Sequence, residues 1–86
     1  MELEQLVTYT NNSQIVRISG SVPSNCNSIT FINIGTDTVT VMGYPIQSSY
    51  TLYLPGNIGE LDITNYNVQF ANVSTDQQLL VITKTY

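Results

Sequence analysis

The chain has 86 residues, enough for one domain and too few for two independent cores. Its 42% hydrophobic content allows a core, and the mix favours strands: Thr, Ile and Val are abundant, Ala71 is the single alanine, and Lys and Arg together number two. Six acids face only Arg17 and Lys84, for a formal charge of −4; this excludes phosphate-backbone binding and disfavours anionic membrane surfaces.

Apolar and polar residues alternate over short stretches broken by Gly, Pro and Asn, the period-two pattern of half-buried strands. The pattern predicts about seven strands. Leu3 to Thr10 and Gln14 to Ser19 are predicted to form a hairpin through Asn11, Asn12 and Ser13, which tolerate turn geometry. Ser21 to Asn27, polar and holding Pro23, is predicted to be a loop leading from this hairpin (residues 1–20) to the main body (residues 28–86). Ser28 to Ile34 and Thr38 to Met42 flank Gly35, Thr36 and Asp37, and are predicted to pair as a hairpin with Gly35 at positive φ. Gly43, Tyr44 and Pro45 should end that strand. Ser49 to Leu54 alternates again and is closed by a turn at Pro55, Gly56 and Asn57.

In the stretch Leu61 to Phe70, Tyr66, Val68 and Phe70 alternate inward, and Asp62 stands four residues before the tyrosine. This spacing suggests a tyrosine corner, in which the hydroxyl bonds to upstream backbone and fixes a crossing between two sheets. The last strand, Gln78 to Tyr86, is fed through Ser74, Thr75 and Asp76, and Leu79 to Ile82 is apolar on both faces. The expected fold is all-β: a small antiparallel β-sandwich of one domain, Greek-key and immunoglobulin-like or jelly-roll-like.

The sequence offers little reactive chemistry. Histidine is absent, which removes the usual general base, the usual partner of a Ser or Cys nucleophile and the commonest transition-metal ligand. Cys26 is the single cysteine, so it cannot staple the fold, and no basic neighbour in sequence activates it; it is expected to be a small loop or core residue. Glu60 and Asp62 would share one side of a strand, where they could do acid–base work or, with Asn57, Asn65 or loop carbonyls, bind calcium. They equally suit a solvated strand edge that resists edge pairing. The glycines follow no phosphate-cradling spacing. No catalytic residue, cofactor or metal is therefore expected, and the protein should not be an enzyme. Two sequons, at Asn11 and Asn72, are short enough to arise by chance. Met1 to Thr10 carries Glu2 and Glu4 where a secretory signal has a basic region, so synthesis in the cytoplasm is expected.

Six tyrosines stand against two phenylalanines and no tryptophan. Tyrosine is favoured where one end of a ring is buried and the other meets water or a partner. Tyr44, Tyr50, Tyr53 and Tyr86 are thus candidate interface residues; a shallow glycan site built from Tyr44, Tyr53 and loop asparagines would look alike in sequence. A domain this small, without a disulfide, leaves sheet edges for neighbours to bury, so a homo-oligomer is expected.

The segments SITFINIGTDTVTVMGYPI, GELDITNYNVQF and LLVITKTY, spread over Ser28 to Tyr86, resemble small virion proteins of tailed bacteriophages infecting Bacteroidetes, including the crAss-like group. The resemblance lies in rhythm more than in any diagnostic residue, and Met1 to Asn27 falls outside it. It implies a β-sandwich that decorates a capsid or forms part of a head fibre, spike or tail attachment. Its location would be the virion, and its partners further copies or other virion proteins such as a capsid protein. The alternative expectation is a receptor- or glycan-binding adhesion module on the same fold.

Overall fold

The structure is a computed structural model that describes residues 8–71 and 76–86. Among these residues there is no helix, and eight strands run in order: β1 (Thr10–Val16), β2 (Gly20–Pro23), β3 (Ser28–Asn33), β4 (Val39–Val41), β5 (Tyr44–Ile46), β6 (Thr51–Leu54), β7 (Asn65–Phe70) and β8 (Leu79–Thr85). They form two four-stranded antiparallel sheets, ordered β1-β8-β3-β6 and β2-β7-β4-β5. The pairings β1·β8, β2·β7, β3·β6 and β4·β5 are those of one long hairpin, and rolling it up sets β8 on β3 and β7 on β4. This is the jelly-roll form of the β-sandwich, the second of the two topologies the sequence allows.

Alternation decides which side chains fill the space between the sheets. Ile29, Phe31, Leu79 and Val81 from the first sheet meet Val22, Val39, Val41, Ile46, Tyr66 and Val68 from the second. Val16, Leu52, Leu54 and Phe70 close the rim. Phe31 is completely buried, and its ring meets that of Tyr66 edge-on, with centroids 5.2 Å apart.

Several sequence expectations about connections are corrected. Asn11, Asn12 and Ser13 do not turn: they lie inside β1, opposite Lys84, Thr83 and Ile82 of β8. A polar run is tolerated there because β1 is an edge strand whose residues are exposed on both faces from Thr10 to Ile15. The first half of the predicted hairpin, Leu3 to Val7, lies outside the described residues. The Ser21 to Asn27 loop begins as strand β2, with Pro23 at its end on a sheet edge, where a missing N–H costs least.

The predicted β3–β4 hairpin does not form either, since the two strands belong to different sheets. The link is an arch across the top of the sandwich, pinned by Gly35 N–H to Gln78 O at 3.2 Å and Thr36 N–H to Asp76 O at 3.3 Å. Gly35 serves close approach, not positive φ: a Cβ there would collide with the Asp76 carbonyl oxygen. The tight hairpin comes one strand later. Met42 (φ 49°) and Gly43 (φ 85°) make a two-residue turn between β4 and β5, so Tyr44 and Pro45 continue the sheet instead of stopping it. Pro45 fits because β5 is an edge.

Candidate interaction surfaces

The polar groups that could have carried chemistry hold the fold together. Asp62 sits in the β6–β7 connection, where its backbone exchanges hydrogen bonds with Cys26 (3.2 and 2.7 Å). Its carboxylate accepts from the Tyr66 hydroxyl (2.5 Å), the Thr64 N–H (2.8 Å) and the Ser24 hydroxyl (3.0 Å). The tyrosine corner is therefore of a modified kind, closed on the upstream carboxylate and not on backbone. Burial works to raise the Asp62 pKa, but the hydrogen bonds from Tyr66, Thr64 and Ser24 outweigh it and hold it at about 2. Burial, with the hydrogen bond to Asp62 and its charge, pushes Tyr66 up to about 12.

Glu60 does not join Asp62. Its exposed carboxylate turns back to accept the Asn57 N–H at 3.0 Å, and both acids lie in a loop instead of along one strand face. Among the described residues no three His, Cys, Asp or Glu side chains come together as a metal cluster. Cys26 is fully buried in the core; burial, with the Asp62 charge beside it, raises its thiol pKa.

The interface candidates separate into three places. Tyr44 stands on the rim of a cleft of about 280 Å³ that opens between the two sheets beside β5 and β6. Val41, Met42, Leu52, Leu54, Thr64 and Tyr66 line the rest. Tyr50 is exposed in the β5–β6 connection, where its backbone bonds to Asn33 and Gln47. Tyr53 and Tyr86 belong to the outer face of the β1-β8-β3-β6 sheet, and only these two are gathered at one site.

That outer face follows from the register. Ile15, Leu80 and Ile32 are direct cross-strand neighbours, and the adjacent row reads Ser13, Ile82, Thr30 and Tyr53. Toward one end of the sheet Lys84 holds its Nζ 4.2 Å from the Tyr9 ring centroid and 5.0 Å from that of Tyr86, with the two rings edge-on at 6.0 Å. A hydrogen bond to Tyr86 raises the Lys84 pKa; burial opposes this, while Tyr86, Tyr9 and Tyr53 add to it electrostatically. The other sheet contrasts with this one: its outer face presents Ser21, Asn65, Asn67, Gln69 and Thr40, the polar surface an antiparallel sheet normally turns to water.

Sequence reasoning missed Tyr9 and Lys84 as members of this cluster. It also missed Asn27 and Asn33, two buried asparagines. Asn33 donates to the carbonyls of Asp37 (2.7 Å) and Ile46 (2.8 Å) and accepts from Gly35 N–H (3.0 Å), which clamps the β3–β4 arch. Asn27 donates to Asn57 and Glu60 carbonyls and accepts from Tyr86 N–H. No local signal marks either one, because every partner except those within the arch is distant in sequence.

Compared with known protein families, curated proteins and solved structures, the chain finds no match. No helix among the described residues is long and apolar enough to cross a membrane.

Proposed function

We propose that this chain is a non-enzymatic structural subunit that works in many copies, as a capsid decoration, head-fibre or spike component of a viral particle. The observation that carries the assembly part of this reading is the outer face of the β1-β8-β3-β6 sheet. There Ile15, Leu80, Ile32, Ile82 and Tyr53 stand side by side where solvent-facing strands ordinarily alternate to polar residues. A face of this kind is favourable to cover and costly to leave wet. The virion part is supported by the resemblance of Ser28 to Tyr86 to small phage virion proteins, and by analogy with the jelly rolls found in viral capsids.

Size-exclusion chromatography with light scattering tests assembly directly. The wild-type chain is expected to elute as an oligomer, and the double substitution Ile15→Ser with Leu80→Ser as a folded monomer. A wild-type chain that stays monomeric up to millimolar concentration refutes the reading. The virion assignment is tested separately, by mass spectrometry of gradient-purified particles from cells that make the chain.

A second reading, a receptor- or glycan-binding module, draws on the cleft beside Tyr44. Its lining of Val41, Met42, Leu52 and Leu54 suits an apolar group better than a sugar, which needs convergent hydrogen-bonding side chains. A glycan array with reproducible hits that are lost in Tyr44→Ala would favour this reading over the structural one.

A further inference from the structure

The β6–β7 connection presents an exposed apolar surface, whereas Ile32, Leu80 and Ile82 on the sheet face are half-buried. Ile58, Leu61 and Ile63 are 59%, 61% and 72% exposed, an unusual density of large aliphatic side chains on a loop. The loop that carries them is rigidly held. The Asn27 amide donates to the carbonyls of Asn57 and Glu60, and the Asp62 backbone is paired with Cys26. Gly56 packs so tightly on the Asn27 carbonyl that a Cβ would overlap its oxygen. The inward side of the loop is thus occupied by its own hydrogen bonds. Ile58, Leu61 and Ile63 cannot turn into the core without breaking them, so the loop is set in advance for a partner.

The loop and the outer face of the β1-β8-β3-β6 sheet are complementary. The face has an apolar centre, Ile15, Leu80, Ile32 and Ile82, with the Lys84 ammonium beside it and no acid at any of its register positions. The loop has an apolar tip with the exposed Glu60 carboxylate between Ile58 and Leu61, while the other loop acid, Asp62, is turned inward onto Tyr66 and Ser24. A face-to-face pair of identical sheets would leave each Lys84 without a counter-charge, since the face offers no acid to set opposite it. A loop-on-face contact instead sets carboxylate against ammonium.

We propose that copies of this chain associate head to tail, with Ile58, Leu61 and Ile63 of one copy seated on the Ile15, Leu80, Ile32 and Ile82 face of the next, and Glu60 paired with Lys84 across the contact. The contact is heterologous: a pair of copies leaves one loop and one face free for further copies, so association closes into a ring or continues as a filament. It rests on the assembly reading above and specifies which surfaces make the contact.

Charge reversal tests it on the full chain. Glu60→Lys sets two lysines against each other across the contact, and Lys84→Glu sets two glutamates. Each variant alone is expected to need at least a tenfold higher concentration than wild type for half-assembly, by light scattering in 50 mM salt. Mixed in equal amounts the two restore wild-type assembly, because every contact between unlike copies again joins a glutamate to a lysine. Glu60 is exposed and Lys84 is half-buried against the Tyr9 and Tyr86 rings, so far-UV circular dichroism of each variant checks that it is folded. An intrachain role for the pair predicts no rescue on mixing. If wild type assembles and either variant assembles equally well, or the mixture gains nothing, the loop-on-face contact is overturned while the assembly reading stands. A monomeric wild type overturns both.

Discussion

Replacing Tyr66 by Phe removes one hydroxyl and leaves the ring on Phe31, so it isolates the bond that closes the β6–β7 connection onto β7. A hydrogen bond to a charged acceptor contributes about 1.5–3 kcal/mol. Asp62 keeps the Thr64 N–H and the Ser24 hydroxyl, which places the loss in the lower half of that range, about 1.5–2 kcal/mol. For a domain of this size, 1 kcal/mol moves the melting temperature by roughly 4–8 °C, so Tyr66→Phe should melt about 6–16 °C lower at pH 7.

The pH dependence sharpens the test. Tyr66 has its folded pKa raised from 10.0 to about 12, so its contribution is complete below pH 10 and is lost as pH rises through 12. Asp62 has its folded pKa lowered from 3.8 to about 2, so its contribution is present above pH 3.8 and lost as pH falls toward 2. The other tyrosines are common to both proteins. The gap in melting temperature between wild type and Tyr66→Phe should therefore be widest near neutral pH and should narrow between pH 10 and 12. Toward acid both proteins begin to lose stability near pH 3.8, where the unfolded carboxyl titrates, but the variant loses less, because without the Tyr66 hydrogen bond its folded Asp62 pKa lies closer to that value; the gap therefore narrows toward pH 2.5 as well. Thermal melts by circular dichroism at pH 2.5, 7 and 11.5 read all three. Equal melting temperatures at pH 7, or parallel curves above pH 10, would refute the argument that this bond fastens the loop.

Two further substitutions probe the core and the arch. Phe31→Ala empties a fully buried aromatic site between the sheets and should cost about 3–5 kcal/mol, enough to unfold the chain or prevent its assembly; an unchanged denaturation midpoint would contradict the packing described. Asn33→Ala leaves the Asp37 and Ile46 carbonyls and the Gly35 N–H without their amide partner, at about 1–3 kcal/mol for each orphaned group. Urea unfolding should show a loss of about 3 kcal/mol or more, and amide exchange should speed up around Gly35 before the rest of the sheet.

The strands and their buried faces were legible in the sequence wherever a period of two ran long enough. Ser28–Asn33 and Asn65–Phe70 alternate as read, and Tyr66 and Val68 point inward as their spacing requires. The absence of histidine and the isolation of Cys26 also bounded the chemistry, because they are facts of composition. Alternation reports only which face of a strand is buried, however, and not which strand lies beside it. The stretch around Gly35 fits a hairpin and an arch equally well. What separates them is the approach of the Asp76 carbonyl to Gly35 from the far end of the chain, and the Asn33 amide reaching Ile46. The gathering of Tyr9, Tyr53, Lys84 and Tyr86 likewise depends on β8 lying between β1 and β3. Composition and alternation were thus enough for an all-β chain with a core. The rolled-up strand order, and through it the identity of the apolar surface, emerges only on folding, since both depend on pairings between residues dozens of positions apart that no local pattern encodes.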